Sequence, residues 1–149
     1  MPLQPPDLSR PSGEDETYGP PGFAHGDLAE FSLFARSGMV IVDARGEIDL
    51  SNAAELVRAV EDAAAQGAVV LDLTSLTFID STGVRALFGL GRQLAEAGTA
   101  LCVVVPPGAP IRRVLTLLDL PSAVPVDESL DDALLRMQVG PASNGGSPS

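Results

Sequence analysis

The chain has few basic side chains for its 149 residues and a single cysteine. Acidic residues outnumber basic ones 20 to 9, which gives a formal net charge of -11 and a pI near 4.2. Binding to nucleic acid or to an anionic membrane surface needs a basic patch, so we expect neither as a partner. The lone Cys102 excludes an internal disulfide and fits a small residue of the core.

Long apolar runs are missing as well. No stretch approaches the roughly 18 apolar residues that a membrane-spanning helix requires. The N-terminal sequence MPLQPPDLSRPSGEDE has neither the basic nor the apolar region of a signal peptide. We therefore expect a cytoplasmic protein.

The composition predicts one folded domain between two disordered tails. Hydrophobic residues make up 45% of the chain, enough for a sizeable core. Residues 1–27 are rich in proline, glycine and acidic side chains, and such a segment buries too little apolar surface to offset the entropy of ordering. Residues 139–149 are uncharged and rich in glycine, serine, proline and asparagine. The domain is therefore placed at residues 28–138.

Hydrophobic periodicity predicts the order β-β-α-β-α-β-α-β-α inside this domain. Strands are expected at residues 31–35, 39–44, 69–73, 101–105 and 124–126, and the apolar run at 101–105 fits an interior strand that is covered on both faces. Strands that alternate with helices imply an α/β fold with a mostly parallel sheet, an antiparallel opening hairpin and helices packed against it.

Polar residues ahead of the first and last helices fit helix caps. Ser51 or Asn52 is expected to cap the first helix, with Glu55 in a position like that of a capping box. Asp127 or Ser129 is expected to cap the last. In the third helix, Arg112 and Arg113 are expected on an exposed face.

A polar turn, DSTG at residues 80–83, separates a buried strand from an amphipathic helix whose apolar face begins at Val84. A helix N-terminus carries unpaired backbone N–H groups and the positive end of the helix dipole. A hydroxyl at this place is therefore exposed, in surroundings that accept an anion. Taken alone, such a turn more often serves only as a helix cap.

Three motifs together resemble the STAS domain, as found in bacterial anti-sigma factor antagonists. DSTG follows the lead-in LTSLTFI, GEID lies upstream at residues 46–49, and PIRRVL lies downstream at residues 110–115. They occur in the family's order and spacing, over about residues 29–137. The fold implied by the resemblance has the order of elements predicted above.

The resemblance also implies roles for the polar turn. The family's phosphorylated serine directly follows the aspartate, and this position is Ser81. Thr82 would support the turn, and Gly83 would permit the close approach of another backbone. Asp80 would help to hold the serine and would contact the partner.

Further partner contacts are expected beside the turn. In the fold that the chain resembles, GEID lies on the same face as the serine, so Asp49, and with it Glu47, would contact the partner. Taken alone, GEID is equally an ordinary turn with a solvated edge. Arg85, on the first turn of the helix, is either solvated or paired with a carboxylate of the partner.

Two positions depart from the family pattern. Asn52 stands where the family usually has threonine, and asparagine caps a helix equally well. Leu118-Asp119-Leu120 replaces the usual Thr-Gly-Leu, so the end of the third helix loses an easy left-handed cap and is expected to differ in shape.

The function implied by the resemblance is that of a binding module without catalysis, metal or cofactor. The unphosphorylated protein would bind an anti-sigma factor that is itself a serine kinase of the GHKL type, and so release a sigma factor for transcription. The kinase, which supplies ATP and Mg²⁺, would phosphorylate Ser81, and a PPM-type serine phosphatase would reverse this. Either a monomer or a weak dimer is compatible with the sequence.

The sequence is compatible with a second function and argues against a third. The chain could be a STAS interaction module of another assembly, such as a stressosome-like complex or a lipid-transport accessory. A hydrolase with Ser81 as nucleophile is disfavoured because the single histidine, His25, lies in a predicted tail and because Gly-x-Ser-x-Gly is absent at Ser81. A P-loop is absent too.

Overall fold

The computed structural model describes residues 28–146, in which the predicted order of strands and helices is found. The predicted N-terminal tail, residues 1–27, and residues 147–149 of the predicted C-terminal tail, residues 139–149, lie outside the described residues. The strands are β1 (Ala29–Arg36), β2 (Met39–Ile48), β3 (Val69–Ile79), β4 (Leu101–Val104) and β5 (Val126–Asp127). The helices are α1 (Ala53–Ala64), α2 (Ser81–Glu96), α3 (Arg112–Leu117) and α4 (Leu130–Gly146), with a short 3₁₀ helix at Leu120–Ser122. The domain boundary predicted at residue 138 falls within α4.

The five strands form one sheet in the order β1-β2-β3-β4-β5. β1 and β2 pair antiparallel, and every later pair is parallel, which confirms the predicted mixed α/β fold and its opening hairpin. The hairpin turns at Ser37 and Gly38, whose φ angles are 55° and 80°. Two successive positive φ angles match the twist that a tight hairpin requires.

Helices cover both faces of this sheet. On one face, side chains from α1, α2 and α3 pack on the strands in the main core, which includes Leu56, Leu71, Leu87 and Leu115. On the other face, Ala133 and Leu134 of α4 pack on a smaller cluster with members from β2, β3 and β4. All residues from 101 to 105 are buried, as expected for an interior strand.

β2 and β3 are longer than the sequence predicts. The pairing of β2 with β3 shifts register between Asp43 and Arg45 and again between Gly46 and Glu47, and then continues to Ile48. These irregularities interrupt the alternation of apolar side chains without ending the ladder. The first three residues of GEID therefore belong to β2, and the loop begins only at Asp49.

The position of the cap of α1 is as expected but its side-chain bond is not made, and of the two candidates at α4 it is Ser129 that caps the helix. Asn52 occupies the N-cap position of α1 but makes no capping hydrogen bond with its side chain. At α4, the Ser129 hydroxyl accepts from the backbone N–H of Asp132 at 3.0 Å, whereas Asp127 is buried and bonds elsewhere.

α3 differs from its prediction at both ends. Arg112 is half-buried and donates to the backbone carbonyl of Val105, so the expected exposed face holds for Arg113 alone. At the other end, Asp119 adopts a left-handed conformation with φ 63°, in place of the glycine that the family usually has there.

Candidate functional site

The two upstream motifs meet at one edge of the sheet. β2 and β3 are parallel, so their carboxyl ends lie side by side, with Glu47 opposite Phe78 and Ile48 opposite Ile79. The backbone N–H of Asp80 then donates to the carbonyl of Ile48 at 3.1 Å. The loop after β2 and the turn after β3 therefore form one continuous surface.

Asp80 supplies the cap of α2. Its extended backbone places it at the N-cap, where its Oδ1 accepts from the N–H of Gly83 at 3.0 Å and its carbonyl accepts from Val84 at 3.0 Å. Ser81, the first residue of the helix, is exposed, and within the described part of the chain its hydroxyl has no hydrogen-bond partner. The structure thus separates capping, done by Asp80, from the free hydroxyl of Ser81.

Gly83 sets how closely α2 begins against the strands. A Cβ at this buried position would lie 2.6 Å from Cγ1 of Ile79 and 2.8 Å from Cγ2 of Ile48. Within the domain, two side chains therefore approach Gly83 closely. The resemblance implied the close approach of another backbone instead. Thr82, beside it, is half-buried.

Asn52 fixes the loop after β2, a role that the sequence analysis missed. The residue is 3% exposed, and its side chain accepts from the N–H of Asp49 at 2.9 Å and donates to the carbonyl of Glu47 at 2.9 Å. Asp49 in turn accepts from the N–H and the hydroxyl of Ser51 at 2.9 and 2.6 Å. The amide of asparagine could have indicated this role, because it can donate and accept at once, whereas capping a helix requires only an acceptor.

Two exposed apolar side chains that were not predicted as contacts lie on the segments that carry the two motifs. Leu50 is 77% exposed in the loop after β2, and Phe78 is 47% exposed near the end of β3. We use the name two-loop surface for these two together with the predicted contact residues Glu47, Asp49, Asp80, Ser81, Thr82 and Arg85. Gly83, which was also predicted as a contact, is buried. Glu47 and Arg85 are exposed, and Asp49 and Asp80 are half-buried.

This surface suits protein recognition. It offers a free hydroxyl, carboxylates, one guanidinium and exposed apolar groups, and apolar side chains ringed by polar ones are typical of protein-binding sites. Among residues 28–146, no group of His, Cys, Asp and Glu is arranged to hold a metal ion. Within the same residues, no helix is long and apolar enough to span a bilayer.

A sequence profile of the STAS domain matches residues 31–133. The chain belongs to the STAS domain family. This confirms the resemblance drawn from the three motifs, and the mixed sheet with its antiparallel hairpin and four helices is the STAS fold.

Similar STAS proteins carry related names. The chain is 29% identical over 116 residues to the anti-sigma-F factor antagonist RsfB of Mycobacterium tuberculosis, covering 76% of this chain and 93% of that protein. It is 31% identical over 108 residues to the anti-sigma F factor antagonist of Paenibacillus polymyxa, covering 68% and 89%. A crystal structure of an anti-sigma factor antagonist from Mycobacterium paratuberculosis superposes with a TM-score of 0.66 at 31% identity, covering 73% and 93%.

Proposed function

We propose that this STAS protein is an anti-sigma factor antagonist that is switched by phosphorylation of Ser81. The unphosphorylated protein binds an anti-sigma factor of the GHKL type in the cytoplasm and so releases a sigma factor. The same partner phosphorylates Ser81 with its own ATP and Mg²⁺, and a PPM-type serine phosphatase removes the phosphate. The observation that carries the proposal is the exposed, unbonded hydroxyl of Ser81 beside the loop of Asp49.

The position of Ser81 allows a phosphate to be added without unfolding the domain. A phosphoserine carries a charge of roughly -1.5 to -2 at neutral pH. The positive end of the α2 dipole favours that charge, and the cap of α2 depends on Asp80, which phosphorylation leaves in place.

The same phosphate opposes docking of a partner. It adds charge next to the carboxylate of Asp80 and near that of Asp49, on a surface whose exposed Leu50 and Phe78 must lose water when a partner binds. An uncompensated charge desolvated in an interface costs about 2–5 kcal/mol, which corresponds to a loss of roughly 30-fold to several thousand-fold in affinity. Similarity to proteins named anti-sigma factor antagonists supports the choice of partner.

The proposal is tested with three substitutions at Ser81. Ser81→Asp and Ser81→Glu should stay folded and bind the anti-sigma factor at least about 30-fold more weakly. Ser81→Ala should keep binding within a few-fold and should resist inactivation by kinase and ATP, since it lacks the phosphate acceptor. The partner is first captured from host lysate and identified by mass spectrometry, and affinities are then measured by calorimetry with the purified proteins.

Gln138→Glu is the matched control, because it adds the same charge at an exposed position of α4, and the amide and the carboxylate have nearly the same shape. It should bind like the wild type. Equal affinity for the acidic Ser81 variants, or phosphate mapped chiefly to Thr82, would contradict the proposal. Capture of a different signalling or transport assembly with no GHKL protein would favour the alternative STAS module instead.

A further inference from the structure

We infer that Arg85 forms an ion pair with the phosphoryl group of Ser81 once that serine is phosphorylated. The inference rests on the proposed phosphorylation of Ser81 and adds to it a regulatory role for Arg85. Phosphorylation would then change the two-loop surface twice, because it adds a dianion and also engages the guanidinium that a partner would otherwise contact.

The helix places the two residues one turn apart on the same side. Ser81 is the first residue of α2 and Arg85 is four residues later, and both are exposed. Side chains at this spacing have Cβ atoms about 5–6 Å apart, and an acidic group that precedes a basic one is the favourable order. A guanidinium can reach a phosphate over this distance and bind two of its oxygens.

Arg85 is available for this pairing. Within the described residues it makes no ion pair or hydrogen bond. The helix positions three and four residues to either side hold Ser81, Thr82, Phe88 and Gly89, none of which is acidic.

The carboxylates of the neighbouring loops compete poorly for Arg85. Asp80 accepts from Gly83, Asp49 accepts from Ser51, and Glu47 lies on β2, outside the helix. A phosphate dianion on Ser81 would carry more charge than any of these groups and would lie on the same turn as the guanidinium.

The ion pair has a signature that does not depend on any partner. Arg85 favours the dianion and so lowers the second pKa of the phosphoserine, which is ordinarily near 6. Glu47, Asp49 and Asp80 act in the opposite direction, and they are the same in every variant. The comparison between variants therefore isolates the contribution of Arg85.

The experiment uses full-length protein into which phosphoserine is incorporated at position 81 during translation, so no kinase is needed. The ³¹P chemical shift is followed against pH in the wild type, Arg85→Ala, Arg85→Lys and Arg92→Ala. Arg85→Ala should raise the second pKa of the phosphoserine by about 0.3. Arg85→Lys should retain part of the effect. Arg92 lies eleven residues from Ser81, about 16 Å along the helix, so Arg92→Ala should titrate like the wild type.

Identical titrations of the wild type and Arg85→Ala would overturn the inference, as would an equal change in Arg92→Ala. A rise in the second pKa of the phosphoserine that is as large in Arg85→Lys as in Arg85→Ala would still support pairing, made by the planar guanidinium alone. Failure of the proposed function would show instead in the binding and phosphosite experiments on Ser81. The two failures are therefore distinguishable.

Discussion

Asn52 illustrates how one buried side chain positions the loop after β2. Its amide joins the backbone on both sides of Ile48, through the carbonyl of Glu47 and the N–H of Asp49. Removing a buried partner leaves these groups without their hydrogen bonds, which costs more than the bonds themselves contribute. The loop that carries Asp49 and Leu50 is thus held by a residue that need not touch the partner.

We expect Asn52→Ala to lower the free energy of unfolding by about 1–3 kcal/mol and also to weaken binding of the anti-sigma factor. Urea unfolding and calorimetry measure the two effects. Asn52→Thr, which restores the residue usual in the family, is the informative companion, since a hydroxyl can replace only part of the amide's bonds. If Asn52→Ala proves as stable as the wild type, the two hydrogen bonds do not fix the loop.

At this scale the sequence predicts which residues lie at the site better than what each one does. The family resemblance implied that DSTG and GEID share one face, and the paired carboxyl ends of β2 and β3 do bring them to one edge. The role of Asn52 is missed because a helix cap and a loop tie require the same kind of residue at the same position. Arg112 is missed for a related reason, since a long side chain on a short helix can be solvated or can turn back to a carbonyl.

At the scale of elements, α4 is attached to the sheet by a polar cluster as well as by its apolar face. Nε of Arg136 donates to both carboxylate oxygens of Asp127, at 3.0 and 2.9 Å. The thiol of Cys102 donates to the same carboxylate at 2.7 Å. Burial, together with this hydrogen bond, raises the pKa of Cys102, so the thiol stays protonated and remains a donor at neutral pH.

This arrangement predicts that Asp127→Asn lowers the stability of the wild type but raises the stability of an Arg136 variant. Arg136→Met should destabilise the protein by about 2 kcal/mol, because the Asp127 side chain, 9% exposed, loses its counter-ion. Asp127→Asn should destabilise the wild type but partly restore stability to Arg136→Met, since it removes the uncompensated charge. Urea unfolding of the two single variants and the double variant measures the coupling.

Arg92→Met, which removes an exposed arginine from α2, should change stability by less than about 0.5 kcal/mol. Should Asp127→Asn cost the same free energy in both backgrounds, the ion pair does not help to attach α4.

Sequence reasoning placed Cys102 in the core and Asp127 at a cap. It could not pair them, because their contact joins neighbouring strands far apart in the chain.

Strand lengths were the other limit at this scale. The alternation of apolar side chains ends near Ala44, yet β2 continues to Ile48 through two register shifts. A bulge changes which side chains face the core without changing the local composition, so a period of two does not reveal it. The predicted order of elements was nevertheless correct, because it depends on long apolar runs and on helical spacing and not on strand length.

For the whole molecule, we expect the domain to fold without its first 27 residues. The described fold starts with β1 at Ala29, and both clusters of buried residues are assembled from residues 29–134. A chain that begins at residue 28 should unfold cooperatively, with a midpoint close to that of the full chain, and should bind the anti-sigma factor with unchanged affinity. Circular dichroism melts and calorimetry provide the comparison. Loss of the cooperative transition would show that the N-terminal segment contributes to the fold.

The backbone hydrogen bond from Asp80 to Ile48 joins both loops of the two-loop surface to the same sheet. Since Glu47 and Ile48 also pair with Phe78 and Ile79, neither loop moves far without breaking strand pairing. If the proposed function holds, the inactive protein therefore differs from the active one by a single phosphate ester and not by an alternative conformation. On that proposal, a phosphorylated chain that is heated and refolded would return to the inactive state, because the phosphate ester is covalent. How long the signal lasts would then depend on the phosphatase and not on the stability of the fold.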